Sequence, residues 1–250
     1  MNVNSIDRAC AAFEERGYTV LEGLYDDATL DALQGELTAL QDRLLAGALP
    51  PGCGTVILDD PDAIIDGEPF AHYVCEITQV SAVVRDAVLH PALVEMAQRT
   101  LGAGAWLLED DRFGVVYQDA RPGDLSGYSR IGWHSDAQSG PTLDWWPSMA
   151  CTIHLDATSP QNGFLRVVPG SHRGSDAGMP PGFEKVLGEV AVYCERGDVL
   201  LHHSGLWHSA ARATDDGPAA VRRHVRGGWY GGTRPSAPHG LGDFVKNARR

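Results

Sequence analysis

The chain has 250 residues, 43% of them hydrophobic and 21% charged, with a formal net charge of −13. That balance describes a globular core in water with no apolar run near the ~18 residues a membrane span needs, and an acidic surface repels nucleic acid and anionic bilayers, so neither is expected as a partner. Five scattered cysteines (Cys10, Cys53, Cys75, Cys151 and Cys194) and an opening, residues 1–8, without the charged-then-apolar order of a signal peptide fit a reducing, cytoplasmic setting better than a disulfide framework.

Residues 4–16 predict a short helix, and residues 18–21 a strand. Asp26 and Asp27 then precede a stripe of Leu30, Leu33, Leu37, Leu40 and Leu44, the spacing of an amphipathic helix with an acidic N-terminal cap, read as packed on the core rather than on a partner. Residues 48–70, with Pro50-Pro51-Gly52 and several aspartates, read as a loop, residues 72–77 as a strand, and residues 80–101 as one or two helices broken near His90-Pro91. From Ala105 the pattern changes to short β-like runs: 106–108, 113–117, 149–156 and 190–193, the last joined by the turn 195–198 to 199–201 as an antiparallel pair. No internal repeat or low-complexity linker interrupts the chain. The expectation is one domain over 1–250, mostly β with flanking α-helices: a mainly helical flank 1–104, a β core 105–230 and a polar tail 231–250.

Gly132-Trp133-His134-Ser135-Asp136 places an imidazole and a carboxylate two residues apart, so on an extended segment both face the same side. A third ligand must come from another strand. His208, following the strand pattern 199–203, meets that need, with His202 and His203 as competitors of which at most one faces the core. Two imidazoles and one carboxylate suit non-haem Fe(II) and leave positions open for a co-substrate and O2. With ten His and 33 acidic residues, chance alone supplies about one such H-x-D pair, and the chain has a second, His154/Asp156, which reads as the end of a core strand.

Context separates the two pairs. Trp133-His134-Ser135-Asp136, Leu155-Asp156-Ala157-Thr158, the run Asn162-Gly163-Phe164-Leu165-Arg166-Val167-Val168-Pro169-Gly170-Ser171-His172, Gly197-Asp198-Val199-Leu200, Trp207-His208-Ser209 and Arg222-Arg223-His224-Val225 follow one another in an order that resembles the phytanoyl-CoA dioxygenase-like (PhyH) family of Fe(II)/2-oxoglutarate oxygenases. The run from Phe13 to Leu24 resembles that family's opening. The resemblance implies a double-stranded β-helix, a cupin-like jelly roll, with Fe(II), 2-oxoglutarate as co-substrate and O2. It implies His134, Asp136 and His208 as the iron ligands and Arg222 as the arginine on the distal carboxylate of 2-oxoglutarate. The family often has a serine two residues after the last histidine ligand; here that position is Ala210, and Ser209, one place earlier, is the available hydroxyl. The interval from His208 to Arg222 carries an insertion near 214–218, which keeps Arg223 and Arg226 as fallbacks. An aspartate at 136, where related halogenases have a small residue, favours hydroxylation, desaturation or ring chemistry over halogenation.

Trp145, Trp146 and Gln138, after the first H-x-D pair, are candidates to contact the substrate, the tryptophans as an aromatic wall. Segments 119–131 and 173–188 are candidate pocket loops. His172 reads as structural, and His72, His90 and His239 have no motif around them. The sequence points to hydroxylation or desaturation of a small organic molecule in secondary metabolism. A 2-oxoglutarate-independent isomerase or hydrolase on the same ligands, and a non-catalytic binding module, are the alternatives.

Overall fold

Leucines build the helical flank. In the computed structural model, which describes residues 3–54, 63–65, 68–110, 114–121, 131–136, 149–174, 185–215 and 217–234, helix α1 (Val3–Arg16) is followed by α2 (Asp27–Leu45). The Asp26 side chain accepts a hydrogen bond from the Thr29 amide and caps α2. Leu30, Leu33, Leu37 and Leu40 are all at most 1% exposed, so the stripe is core. Helices α3 (Ala82–Val88) and α4 (Pro91–Leu101) part at His90, whose ring accepts from the Ala92 amide while Pro91 opens α4.

The strands, numbered in chain order, are β1 (Tyr18–Leu21), β2 (Ala63–Ile65), β3 (Glu68–Phe70), β4 (Tyr73–Val74), β5 (Trp106–Leu107), β6 (Val116–Ala120), β7 (Ile131–His134), β8 (Met149–His154), β9 (Leu165–Val167), β10 (Val190–Val192), β11 (Val199–His203), β12 (His208–Ala210) and β13 (Arg222–Tyr230). Seven form a sheet of order β1-β11-β8-β13-β6-β4, with β5 also on β13, and four form a second sheet of order β10-β9-β12-β7. All pairings are antiparallel. The architecture is mostly β with flanking helices, a cupin-like double-stranded β-helix.

Strand alternation divides the packing. Val199 and Leu201 of β11 and Ile153 of β8 join the helices in the main core. Leu200, one residue out of step, joins Val167 and Leu206 of the other sheet's side in a second cluster. The large sheet thus has one face under the helices and one face toward the four-stranded sheet.

Three expectations are corrected. The segment 48–70 is not wholly loop: it holds a short turn of 3₁₀ helix at Pro51–Cys53 and the hairpin β2–β3, while residues 55–62 lie outside the described ones. The strand expected at 72–77 shrinks to Tyr73–Val74, because Glu76 adopts φ 51, which ends an extended run. The run 190–193 does not pair with 199–201. β10 pairs with β9, and β11 pairs with β1 and β8. The turn between them hands the chain from one sheet to the other. Asp198 fixes it by accepting from the Gly23 and Glu195 amides at 2.8 and 2.7 Å, and Gly197, at φ 91, leaves room for the Tyr25 carbonyl.

Candidate metal centre

His134 and His208 face each other across adjacent strands, directly opposed in the β7–β12 register, with ring centroids 4.2 Å apart. Nδ1 of His134 lies 2.8 Å from the Gly132 carbonyl, and Nδ1 of His208 lies 2.9 Å from the Leu206 carbonyl. Each Nδ1–H therefore donates to a carbonyl two residues back along its own chain, which leaves Nε2 as a bare lone pair directed away from the backbone. Asp136, just past β7, puts Oδ1 3.8 Å from each Nε2. Ligand atoms of the three residues all lie within 4.8 Å of one another. Loss of solvation would raise the Asp136 pKa, but the imidazoles of His208, His202 and His134 hold it well below the usual carboxylate range. Burial first, and then His202, pushes the His208 pKa down to about 3, so its ring is neutral at pH 7. Two imidazole nitrogens and a carboxylate are the donor set that fits a divalent transition metal.

His202 and His203 part as alternation requires. His202 is buried beside the site, its Nε2 3.3 Å from Asp136 Oδ2 and its ring 4.5 Å from that of His208. Neither of its ring nitrogens makes an aligned hydrogen bond among the described residues, and it stands outside the group of converging ligand atoms. His203 turns away, taking the Gly205 amide on Nδ1 and packing near Phe13 and His172.

The three residues open onto a cavity of about 110 Å³ between the two sheets, lined also by His154, Leu200, Ala210, Arg222 and His224. Arg222, Arg223 and Arg226 on β13 have different surroundings. Arg223 is held by Asp156 through its amide (2.8 Å) and in bidentate fashion through its guanidinium (2.8 and 2.6 Å). Arg226 borders the cavity and donates to the Tyr73 hydroxyl. Arg222 is 7% exposed and has no ion pair among the described residues; its Nε is buried without a partner, and burial lowers its pKa to about 10. A buried cation with no counter-ion is a place for an anionic ligand.

The Asn-Gly-x-Leu run accounts for that arginine's position. Asn162 donates to the Ala157 and Val221 carbonyls at 2.7 and 3.2 Å and accepts from the Ser159 amide at 2.8 Å, so it ties this turn to the residue preceding Arg222. The Pro-Gly-Ser-His turn supports the other side of the site. Ser171 Oγ accepts from the amide of Trp207, next to His208, at 2.9 Å, and the Gly170 amide donates to the Arg16 carbonyl at 2.8 Å. His172 is structural in this arrangement, its Nε2 3.1 Å from the Glu14 carbonyl.

Ser209 departs from expectation. His208 and Ala210 line the cavity, and Ser209, between them, faces the other way, with its hydroxyl accepting from Arg166 at 3.1 Å. The second H-x-D pair is also split. Asp156 serves Arg223, while His154 lines the cavity. Trp145, Trp146, Gln138 and His239 lie outside the described residues, as do 122–130 and 175–184 of the candidate loops and 235–250 of the tail.

A sequence profile described as phytanoyl-CoA dioxygenase (PhyH) matches residues 13–221. The chain belongs to the phytanoyl-CoA dioxygenase family. Among curated relatives, an ectoine dioxygenase of Nocardia farcinica is 27% identical over 169 residues, 65% of this chain and 50% of that protein. The chain spans about half the length of the curated ectoine dioxygenases it matches. Among solved structures of similar fold, the α-ketoglutarate-dependent epimerase SnoN from nogalamycin biosynthesis superposes with a TM-score of 0.65 at 21% identity, covering 96% of this chain and 89% of that one. EctD from Sphingopyxis alaskensis with 2-oxoglutarate and 5-hydroxyectoine gives a TM-score of 0.67 at 21% identity, covering 92% of this chain and 76% of that one.

The cavity also contains His224, His154 and Gln118, to which the sequence assigned no role in the site. His224 was legible as sharing a face with Arg222 at period two. His154 carried no local signal, since only the β8–β13 register, His224 opposite His154, brings it to the cavity. Gln118 enters in the same way, opposite His224 on β6.

Proposed function

We propose that this chain is a non-haem Fe(II)- and 2-oxoglutarate-dependent oxygenase that hydroxylates or desaturates a small organic molecule. The observation that supports it most is the sharing of one cavity by three converging groups able to hold a metal and an arginine without a counter-ion among the described residues. His134 and His208 present Nε2, with ring orientation set by their own backbones, and Asp136 contributes a carboxylate. Arg222 takes the distal carboxylate of 2-oxoglutarate through its planar fork. Iron, 2-oxoglutarate and O2 together supply the oxidising power to attack an unactivated C–H bond. Leu165, Leu200 and Ala150 add apolar surface to the lining of the same cavity.

The described elements are read as one catalytic domain. Among the described residues no helix is long and apolar enough to cross a membrane, and we place the enzyme in the cytoplasm. Its substrate is proposed to belong to secondary metabolism rather than to be a fatty acyl-CoA. Trp145, Trp146 and Gln138 are proposed as the substrate side of the pocket.

The test is anaerobic. Fe(II) and 2-oxoglutarate are added to metal-free protein, and the weak charge-transfer absorption of chelated 2-oxoglutarate is recorded in wild type, His208→Ala and Arg222→Ala. A band that disappears without His208 and weakens without Arg222 supports the assignment. Its absence in wild type that holds iron would turn the reading to a 2-oxoglutarate-independent metalloenzyme.

A further inference from the structure

The cavity beside Arg222 contains a second unpartnered donor. His154 is 6% exposed and lines the cavity, and both its ring nitrogens are buried without a hydrogen-bond partner among the described residues. A neutral imidazole carries one N–H, and burying that group unpaired is costly unless a ligand meets it. His202, the other cavity histidine without an aligned ring partner among the described residues, stands at the metal end, 3.3 Å from Asp136 Oδ2, whereas the polar groups nearer Arg222 are committed. His224 Nε2 is 3.1 Å from Gln118 Oε1, so its N–H donates to that carbonyl and Nδ1 is left with only a lone pair. Thr158 Oγ1 accepts from the Cys194 amide at 2.8 Å and reaches back to the Cys194 carbonyl. Ala210 offers the cavity a methyl group, and the Ser209 hydroxyl is turned toward Arg166.

Register puts His154 and Arg222 together. His154 lies opposite His224, and Arg222 is two residues along β13 from His224 on the same face. His154 and Arg222 are thus diagonal neighbours, ~7–8 Å apart at the backbone and within reach of long side chains. Thr152 lies opposite Arg226 instead, further along the strand.

We propose that His154 is the second carboxylate-binding group of this subsite, donating an imidazole N–H to the distal carboxylate of 2-oxoglutarate while Arg222 grips the same carboxylate from the neighbouring strand. The proposal rests on the co-substrate reading above. It makes this end of the site an Arg/His pair in which the hydroxyl donor of the usual arrangement is replaced by an imidazole from a different strand.

The test compares binding of two 2-oxo acids to Co(II)-loaded protein by calorimetry: 2-oxoglutarate, and 2-oxopentanoate, which chelates metal in the same way but has no distal carboxylate. His154→Phe keeps the ring volume without the donor, and His154→Gln keeps a donor. Support is a loss of about ten- to a hundred-fold in 2-oxoglutarate affinity in His154→Phe, substantially restored in His154→Gln, with 2-oxopentanoate affinity unchanged in both. Equal 2-oxoglutarate affinity in wild type and His154→Phe overturns the role of His154 while leaving the co-substrate reading standing. If metal-loaded wild type binds no 2-oxoglutarate at all, the reading of the site falls and the proposal with it. Should His154→Phe not fold, the side-chain 15N resonances of histidine in Zn(II)-loaded wild type decide: an imidazole N–H that shifts with 2-oxoglutarate but not with 2-oxopentanoate supports the proposal, and identical responses to the two refute it.

Discussion

A Cβ added to Gly163 would stand 2.9 Å from Nη1 of Arg222 and 2.5 Å from the Ala211 carbonyl, so the guanidinium lies against a space that only a glycine leaves. The backbone there has φ 85, which independently disfavours a side chain. Gly163→Ala should therefore lose about 1–2 kcal/mol from the left-handed conformation alone, with more from displacement of the arginine. Chemical denaturation measures the first effect and 2-oxoglutarate titration the second. A stable variant with unchanged affinity would show that Arg222 does not depend on this contact.

Arg222→Met should separate stability from binding. It removes a buried cation that has no ion pair among the described residues, so the metal-free, ligand-free protein should unfold at equal or higher denaturant, by on the order of 1 kcal/mol. The same variant should bind 2-oxoglutarate far more weakly. Destabilisation of the apo-protein would mean that Arg222 already has an anionic partner in the resting state.

Metal should stabilise the fold. At a hundredfold excess over Kd, Co(II) or Mn(II) adds about 2.7 kcal/mol to a protein that binds it only when folded, and the melting temperature should rise accordingly. The rise should vanish in His208→Ala and Asp136→Ala. A shift retained in Asp136→Ala would remove that carboxylate from the ligand set.

The Arg223–Asp156 pair should behave as scaffold. Its side chains are 29% and 22% exposed, so Arg223→Ala should cost no more than about 1 kcal/mol and leave 2-oxoglutarate affinity unchanged. A marked loss of affinity would shift the distal-carboxylate role from Arg222 to its neighbour.

Acid should destabilise the metal-free protein through its buried neutral histidines. Burial, and secondarily Arg222, lowers the His154 pKa to about 3; burial, with His172 and His202 next, lowers that of His203 to about 4. Both lie below the ~6.5 of an unfolded chain, so the folded state takes up fewer protons. The stability they confer is full above pH ~6.5 and falls as the pH drops toward 4 and then 3. Urea midpoints at pH 7 and pH 5 test this, and His154→Phe should shrink the difference between them.

Much of this was legible in the sequence wherever periodicity or a motif spoke for itself. The leucines of α2, the His90-Pro91 break, and the facing of His134 and Asp136 follow from spacing alone. What remained hidden depended on which strand lies beside which. His154 read as the end of a core strand because nothing near it in sequence says that its cross-strand neighbour will be His224. Val190–Val192 and Val199–His203 read as a hairpin because their turn is short, whereas Asp198 and Gly197 anchor that turn to the segment before α2 and send the two strands to different sheets. The orientation of Ser209 was within reach, since a residue flanked by two cavity-facing positions on a strand must face away.

Among the described residues, the two histidines proposed as metal ligands, His134 and His208, are oriented by the main-chain carbonyls of Gly132 and Leu206. No substitution elsewhere can delete those anchors, because every amino acid brings the same carbonyl. The surrounding walls can therefore be rewritten residue by residue, for a different molecule or a different outcome, while the aim of the two imidazoles stays fixed, which makes this strand pair a chassis for engineering new specificity.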